Sequence, residues 1–441
     1  MQKWYINIMQ TIYKDIRFSS PKFWVFLFLV LMLGRGSSLV AQYDPRTNIA
    51  GTILYMLCIV SMLSWKKINW KNYKPKIAVV FWCVLTVWFL GHLFILDNGF
   101  NIMPYSIFML HIFAGILIIN TYNKSIVAYY EKAMVFLSAI SIIGWGIESL
   151  GMSSLLLKSP ILLENSAGVS DYSLILYTLS VDPARSQELY GGIFRNSGCA
   201  WEPGLFSIMV CIAILFNIYQ NKKIIFNKRL IILLITLITT FSTTGYIVAI
   251  VIFAGYYIFS KKVSIGKRII YISLISLVSI NLYNLPFISE KISNNADTES
   301  FSIADGSVEW YEKEGRAFTV GRFEGIMLDY MNVQDKPIMG YGLMRESSYV
   351  YKNISSVIIT SNGIMKPFAQ LGIILGVLIL ILMYKSTVRL SNEYNFTVPW
   401  LLFAVIIVGS VSYMIDSTPI IRALQLYALY IPVKQIKKQY E

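Results

Sequence analysis

The sequence predicts an all-α polytopic membrane protein, a single membrane domain over 1–441 with about twelve transmembrane helices and two large extracytoplasmic loops. Three observations carry this. Hydrophobic residues make up 56% of the 441 and charged residues only 14%. The mean hydropathy is +0.59, a value that water-soluble domains seldom reach. The apolar residues also gather in runs of the length that crosses a hydrocarbon core about 30 Å thick, and the charges sort by side.

Taken in order, residues 1–22 carry Lys3, Lys14, Arg17 and Lys22 but no apolar core or small-residue cleavage site. They read as a cytoplasmic lead-in and not as a cleaved signal. Candidate spans follow at 23–40, 49–65, 77–96, 102–120, 132–150, 203–220, 229–243, 245–259, 269–288, 364–384, 397–415 and 418–433. With the N-terminus inside, the cytoplasmic segments hold 24 of the 38 Lys and Arg but 4 of the 24 Asp and Glu. The inside is therefore +20 and the remainder −6, which together make the net +14. That is the positive-inside bias. The clusters Lys66-Lys67, Lys222-Lys223, Lys261-Lys262 and Lys437-Lys438 mark the cytoplasmic face, so the basic balance does not call for nucleic acid. Trp24, Trp65, Trp70, Trp201 and Trp400 suit the interface belts. The four cysteines form no C-x-x-C or Cys/His cluster, which argues against disulfides and structural zinc.

Two outer loops are long, 151–202 and 289–363, and loops of that size are usually functional. The first holds an apolar patch, Ser173 to Val181, and a polar run into Gly191-Gly192. The second has a polar stretch, Ser293 to Gly321, then an expected amphipathic helix. Its apolar face would be Phe323, Ile326, Met327 and Tyr330, its N-cap Thr319, and Pro337 lies beyond its end. Such a helix suits the membrane surface. Three further stretches stand out: Phe241 to Gly245 as a tight outer hairpin, Pro337 to Gly342 as a turn-rich segment, and Ser361-Asn362-Gly363 as the opening of the span that runs through Gly372.

The chemistry centres on GGIFRNSGCAWEPGLF, residues 191–206, where Arg195, Gly198, Glu202 and Pro203 make R-x2-G-x3-E-P just before an apolar run. Pro203 suits the first position of a helix, and the helix dipole favours the Glu202 carboxylate there. Glu202 reads equally as a base for a sugar hydroxyl or as a helix cap paired with Arg195. Arg185, Arg195, Arg316, Arg322 and Arg345 lie on the outer side, where topology disfavours basic residues. Guanidinium binds phosphate oxygens in pairs, which suits a diphosphate-linked substrate; pairing with Glu188, Glu314 and Glu324 is the plainer alternative. Asp171, Glu324 and Asp329 are further acidic candidates. The only histidines, His92 and His111, fall inside apolar spans. No H-E-x-x-H, clustered Asp motif, P-loop or dinucleotide fingerprint occurs, so chemistry without metal or cofactor is expected.

These residues resemble the O-antigen polymerase (Wzy) and O-antigen ligase superfamily of bacterial membrane glycosyltransferases. The matches are R-x2-G-x3-E-P at 195–203, Gly321-Arg322 opening an amphipathic segment that ends in Pro337 to Gly342, and Ser361-Asn362 nine residues before Gly372. The ligase histidine position holds Ser361, which speaks against a usual ligase. The resemblance implies a helical architecture like the GT-C-type glycosyltransferases. It implies a bacterial inner-membrane enzyme with cytoplasmic termini and a periplasmic site. That enzyme moves a growing glycan from undecaprenyl diphosphate to the next lipid-linked repeat. Its partners would be the lipid-linked donor and acceptor, membrane lipids and a chain-length regulator. Glu202, Arg195 and Arg322 would be catalytic, and Arg185, Arg345, Tyr341, Asn362 and Glu324 would bind substrate. A ligase, or a lipid-linked oligosaccharide flippase, is the alternative.

Overall fold

The computed structural model describes residues 16–35, 45–66, 68, 75–95, 101–159, 163–164, 171–180, 194–260, 263–271, 273, 312–313, 318–360, 362–415 and 418–430. Most of these are helical: α1 Pro21–Arg35, α2 Pro45–Trp65, α3 Pro75–Ile95, α4 Ile102–Tyr122, α5 Ile126–Ser149, α6 Ser153–Leu157, α7 Pro203–Asn221, α8 Lys228–Thr239, α9 Thr243–Phe259, α10 Arg322–Asp335, α11 Tyr349–Asn353, α12 Met365–Glu393, α13 Leu401–Ser410 and α14 Pro419–Leu426. Pro21, Pro45, Pro75, Pro203 and Pro419 each stand first in a helix, where a missing N–H leaves nothing unpaired and φ is already helical.

Among the described residues, three helical stretches are long and apolar enough to cross a membrane: 102–149, 203–221 and 365–393. The first is two helices, because Asn123 turns the chain with φ 48° and the 3-10 turn Asn123–Ser125 separates α4 from α5. Shorter apolar helices lie at 21–34, 50–65, 79–94, 243–259 and 401–410. Most of the expected span at 269–288 falls outside the described residues. The expected last span begins instead as the eight-residue α14, buried along its whole length between α4, α12 and α1.

Helix α7 is the hub, buried from Gly204 to Tyr219 and packed by α1, α5, α8, α9 and α13. A polar network ties one end of it. Glu131 of α5, fully buried, accepts from Gln220 at 2.5 Å and pairs with Arg229 of α8 at 2.9 Å. Asn217 also donates to Glu131, and Asn227 caps α8 through Leu230 N at 2.9 Å. A carboxylate so buried holds only with its oxygens paired.

The fold is mostly helical, as expected, and the two long loops add short strands. In 151–202, β1 Leu163–Glu164, β2 Asp171–Ser173 and β3 Thr178–Ser180 form a small antiparallel sheet in that order. In 289–363, β4 Phe318–Thr319 and β5 Ile358–Ile359 pair in parallel across α10. The amphipathic helix is present as α10, but with a different inner face. Gly325, Leu328, Asp329, Asn332 and Val333 are buried, whereas Met327 is 48% and Tyr330 46% exposed. Leu328 packs with Val320, Val350 and Ile358, and Asp329 finds three hydrogen-bonding partners inside. Gly321, not Thr319, caps the helix.

Candidate functional site

The segment 194–202 is held in place before it delivers any chemistry. Asn196 donates to Ser141 Oγ at 3.2 Å and to Thr239 Oγ1 at 2.9 Å, and accepts from Gly198 N at 2.9 Å. Gly198 has φ +51°, and a Cβ there would strike the Phe206 ring. Trp145 of α5 donates to the Phe194 carbonyl at 2.8 Å. On this frame Arg195 donates from Nε to the Thr240 carbonyl at 3.2 Å. The turn from Thr240 to Thr243 between α8 and α9 is tight: Phe241 has φ 45° and Ser242 caps α9, accepting from Gly245 N at 3.2 Å.

Glu202 occupies the N-cap position of α7, yet its side chain makes no cap bond. Instead its carboxylate accepts the Tyr413 hydroxyl proton at 2.6 Å. The same phenol oxygen accepts from Arg322 NH2 at 3.0 Å, and the Arg322 guanidinium lies 4.5 Å over the Tyr413 ring. Arg322 NH1 donates to the Ser412 carbonyl. Ser412 in turn shares a hydrogen bond of 2.8 Å with Thr244, close along the chain to the Thr240 carbonyl that binds Arg195.

Two glycines let these parts meet. A Cβ on Gly204 would fall 2.8 Å from the Tyr413 ring carbons. Gly363 N donates to the Ser410 carbonyl at 2.7 Å, fixing the chain that leaves α13. Tyr413 itself is buried and Glu202 is exposed. The arrangement presents an accessible carboxylate and a guanidinium joined through one phenol. A carboxylate so placed can accept a proton, and Arg322, which gives one of its five guanidinium N–H donors to Ser412 and one to Tyr413, keeps three for an oxyanion.

The other sequence candidates separate from this cluster. Arg185 lies outside the described residues, as do Arg316 and Ser361. Glu324 accepts from Gly321 N at 3.0 Å and so closes the start of α10. Asn362, buried, starts α12 by accepting from Met365 N at 2.8 Å, and it donates to the Asp329 carboxylate. Tyr341 is buried with Val333 and Ala369. Arg345 lies 5.5 Å over the Tyr351 ring. His92 is interior, its Nδ1 2.9 Å from the Trp88 carbonyl and its Nε2 3.3 Å from that of Gly340. Asp329 accepts from Thr360 at 3.0 Å and from Asn332 at 3.4 Å. Burial raises its carboxyl pKa to about 6, against the opposing pull of Lys366 and these donors.

Sequence reasoning missed Tyr413, Ser412 and Thr240, whereas Thr244 lies in the turn that it singled out. Tyr413 and Ser412 were inside the expected span 397–415, whereas α13 ends at Ser410. The available signal was the polar run Ser410, Ser412, Tyr413 in an otherwise apolar stretch. Searches against protein-family models and against curated proteins return no match for the chain. The fold and site thus define a helical protein with membrane-length apolar helices and a joined carboxylate–phenol–guanidinium cluster.

Proposed function

We propose that the chain is a polysaccharide polymerase of the O-antigen type, a metal-independent glycosyltransferase of the bacterial inner membrane. Twelve spans, cytoplasmic termini and a periplasmic site complete this reading. The growing glycan leaves its undecaprenyl diphosphate and joins a hydroxyl of the next lipid-linked repeat. Arg322 and Arg195 hold the diphosphate and stabilise the charge that develops on the leaving oxygen. Glu202 takes the acceptor proton, and Tyr413 keeps the carboxylate in register with the guanidinium. The glycosidic bond to the diphosphate breaks as the bond to the acceptor oxygen forms. The proton passes to Glu202 and the electron pair leaves with the polyprenyl diphosphate.

The observation that supports this most is the bridge from Arg322 through Tyr413 to Glu202, at 3.0 and 2.6 Å. It joins one long loop to the other through residues far apart in the chain. The test is polymer formation from a defined lipid-linked repeat in reconstituted membranes. Arg195→Ala, Arg322→Ala and Glu202→Ala are each expected to abolish polymer while the protein still reaches the membrane. Near-normal polymer from all three removes the assignment. Loss of long chains with single-repeat capping intact in cells separates a polymerase from a ligase.

A further inference from the structure

The tight turn between α8 and α9 carries no charge, yet it touches all three segments that supply the candidate site. On one flank the Thr239 carbonyl accepts from Asn196 N at 2.9 Å and Thr239 Oγ1 from Asn196 Nδ2 at 2.9 Å. The Thr240 carbonyl beside it accepts from Arg195 Nε at 3.2 Å. Next along the turn, the Ser242 and Ser207 hydroxyls share a hydrogen bond of 3.1 Å. Ser207 also donates to the Gly204 carbonyl at 2.6 Å, which fixes the turn to the end of α7 that begins at Glu202. On the other flank Thr244 Oγ1 and Ser412 Oγ share a hydrogen bond of 2.8 Å. The Ser412 carbonyl holds Arg322, and Tyr413 is the next residue.

The turn has little freedom to move. Thr240, Ser242, Ser207 and Ser412 are buried, where polar groups keep fixed partners. A Cβ on Gly245 would fall 2.4 Å from that of Ser207, so α9 starts in close contact with α7. The Thr244 link differs from the other two. Thr239, Thr240 and Ser242 bind the turn to 195–207, one continuous piece of chain. Thr244 binds it to the irregular segment that follows α13 and meets Arg322.

We propose that Thr244 is a positioning residue whose hydroxyl, through Ser412, sets the Arg322 guanidinium and Tyr413 in register with Arg195 and Glu202. The path from one arginine to the other runs from the Thr240 carbonyl along the turn to Thr244, across to Ser412 and on to Arg322. That this register governs glycan transfer rests on the reading above, whereas the joint itself does not. A shift of about 1 Å in a reacting group can cost 100-fold in rate, so one hydroxyl held between two segments can matter without touching substrate.

The test uses the full chain in reconstituted membranes and the initial rate of joining two defined lipid-linked repeats. Thr244→Val keeps the shape and removes the hydroxyl. It is expected to lower kcat at least tenfold with KM within twofold of the parent, and Thr244→Ser is expected to restore kcat to within threefold. Ser412→Ala should match Thr244→Val, and the double variant should be no slower than the slower single one. A Thr244→Val enzyme at the parent rate overturns the proposal. So does a Thr244→Ser enzyme as slow as Thr244→Val, or a double variant whose loss is the product of the two. Amide exchange in detergent reads the joint without activity. Gly363 N, bonded to the Ser410 carbonyl, should exchange at least fivefold faster in Thr244→Val, and Gly245 N, bonded to Ser242, likewise in Ser412→Ala. Unchanged exchange at both glycines overturns the joint whatever the polymer assay gives. A parent chain that makes no polymer while both glycines respond removes the polymerase reading and leaves the joint standing.

Discussion

Tyr413 is the residue that makes the candidate site a connected unit. Its ring sits against Gly204 and under Arg322, while only its hydroxyl touches Glu202. Tyr413→Phe therefore keeps the packing and removes one oxygen. Glu202 is exposed and water can replace the lost donor, so the stability cost should stay near 1 kcal/mol. The activity cost should be larger, on the order of 100-fold, because the carboxylate and guanidinium lose their common anchor. Polymer per unit of membrane protein measures this, and an undiminished rate takes Tyr413 out of the reaction. A second residue-scale effect belongs to Asp329. Its carboxyl pKa is raised from 3.8 to about 6, so the folded state prefers the neutral form. Below the unfolded value the group is protonated in both states and costs nothing. Between pH 3.8 and about 6 the unfolded chain ionises the group while the folded chain holds it neutral, so stability falls across that window, by about 3 kcal/mol in all and by about 1 kcal/mol between pH 5 and pH 7.5. The groups facing it are Lys366, Thr360, Asn362, Asn332 and Tyr341. Amide exchange in α10 and at Met365 and Lys366, corrected for intrinsic rates, should show more protection at pH 5 than at pH 7.5. In Asp329→Asn that slope should vanish; equal protection at both pH values in the parent chain would contradict the account.

At the scale of the element, α12 shows why a break can be worth keeping. Gly372 departs from helical geometry with φ 76° and ψ 167°. Ile373 N, freed from the Ala369 carbonyl four residues back, donates to the Pro337 carbonyl at 2.8 Å, and Ala369 accepts from Tyr341 N instead. The break thus exchanges helix bonds for bonds to the turn after α10. Gly372→Ala puts a Cβ against the Ile338 carbonyl and costs about 1–3 kcal/mol for a backbone conformation that essentially only glycine adopts, before that clash is counted. The expected response is a straighter α12, faster amide exchange at Tyr341 and Gly342, and new proteolytic cutting between 336 and 345. Unchanged exchange there would mean that the turn stands without the break. The spacing of Asn362 and Gly372 was readable in the sequence, as was Pro203 at the start of α7, because these signals are local. The inner face of α10 was not. Its Asp329 reads as solvent-facing until Thr360 and Asn362, thirty residues later, arrive to bond it. The strands of two and three residues carry no period to detect. Tyr413 was hidden because an apolar window ran past the end of α13.

For the whole molecule, α7 supplies the ruler. Its 19 residues make about 28 Å of helix, close to the thickness of a hydrocarbon core. Polar groups gather at both ends and not between. Glu202, Gly204 and Ser207 meet Tyr413 and Ser242 at the start. Asn217 and Asn221 meet Glu131 and Asn227 near the finish. The nine residues from Ile208 to Phe216 are apolar and buried. Near the second end stand Lys222, Lys223, Lys228 and Arg229, the signature of the cytoplasmic side. If α7 crosses the membrane, the Glu202 cluster and α10 share the opposite side. Single cysteines test this, in a background with Cys58, Cys199 and Cys211 changed to alanine and Cys83 to serine that still makes polymer. Phe226→Cys, at a position 69% exposed beside the basic end, should react with a membrane-impermeant maleimide only after the membrane is opened. Asp335→Cys, exposed on α10, should react in intact spheroplasts. Both positions labelling from the same side would place the two ends of α7 in one compartment, and a periplasmic transfer site at Glu202 would no longer follow from the charge pattern.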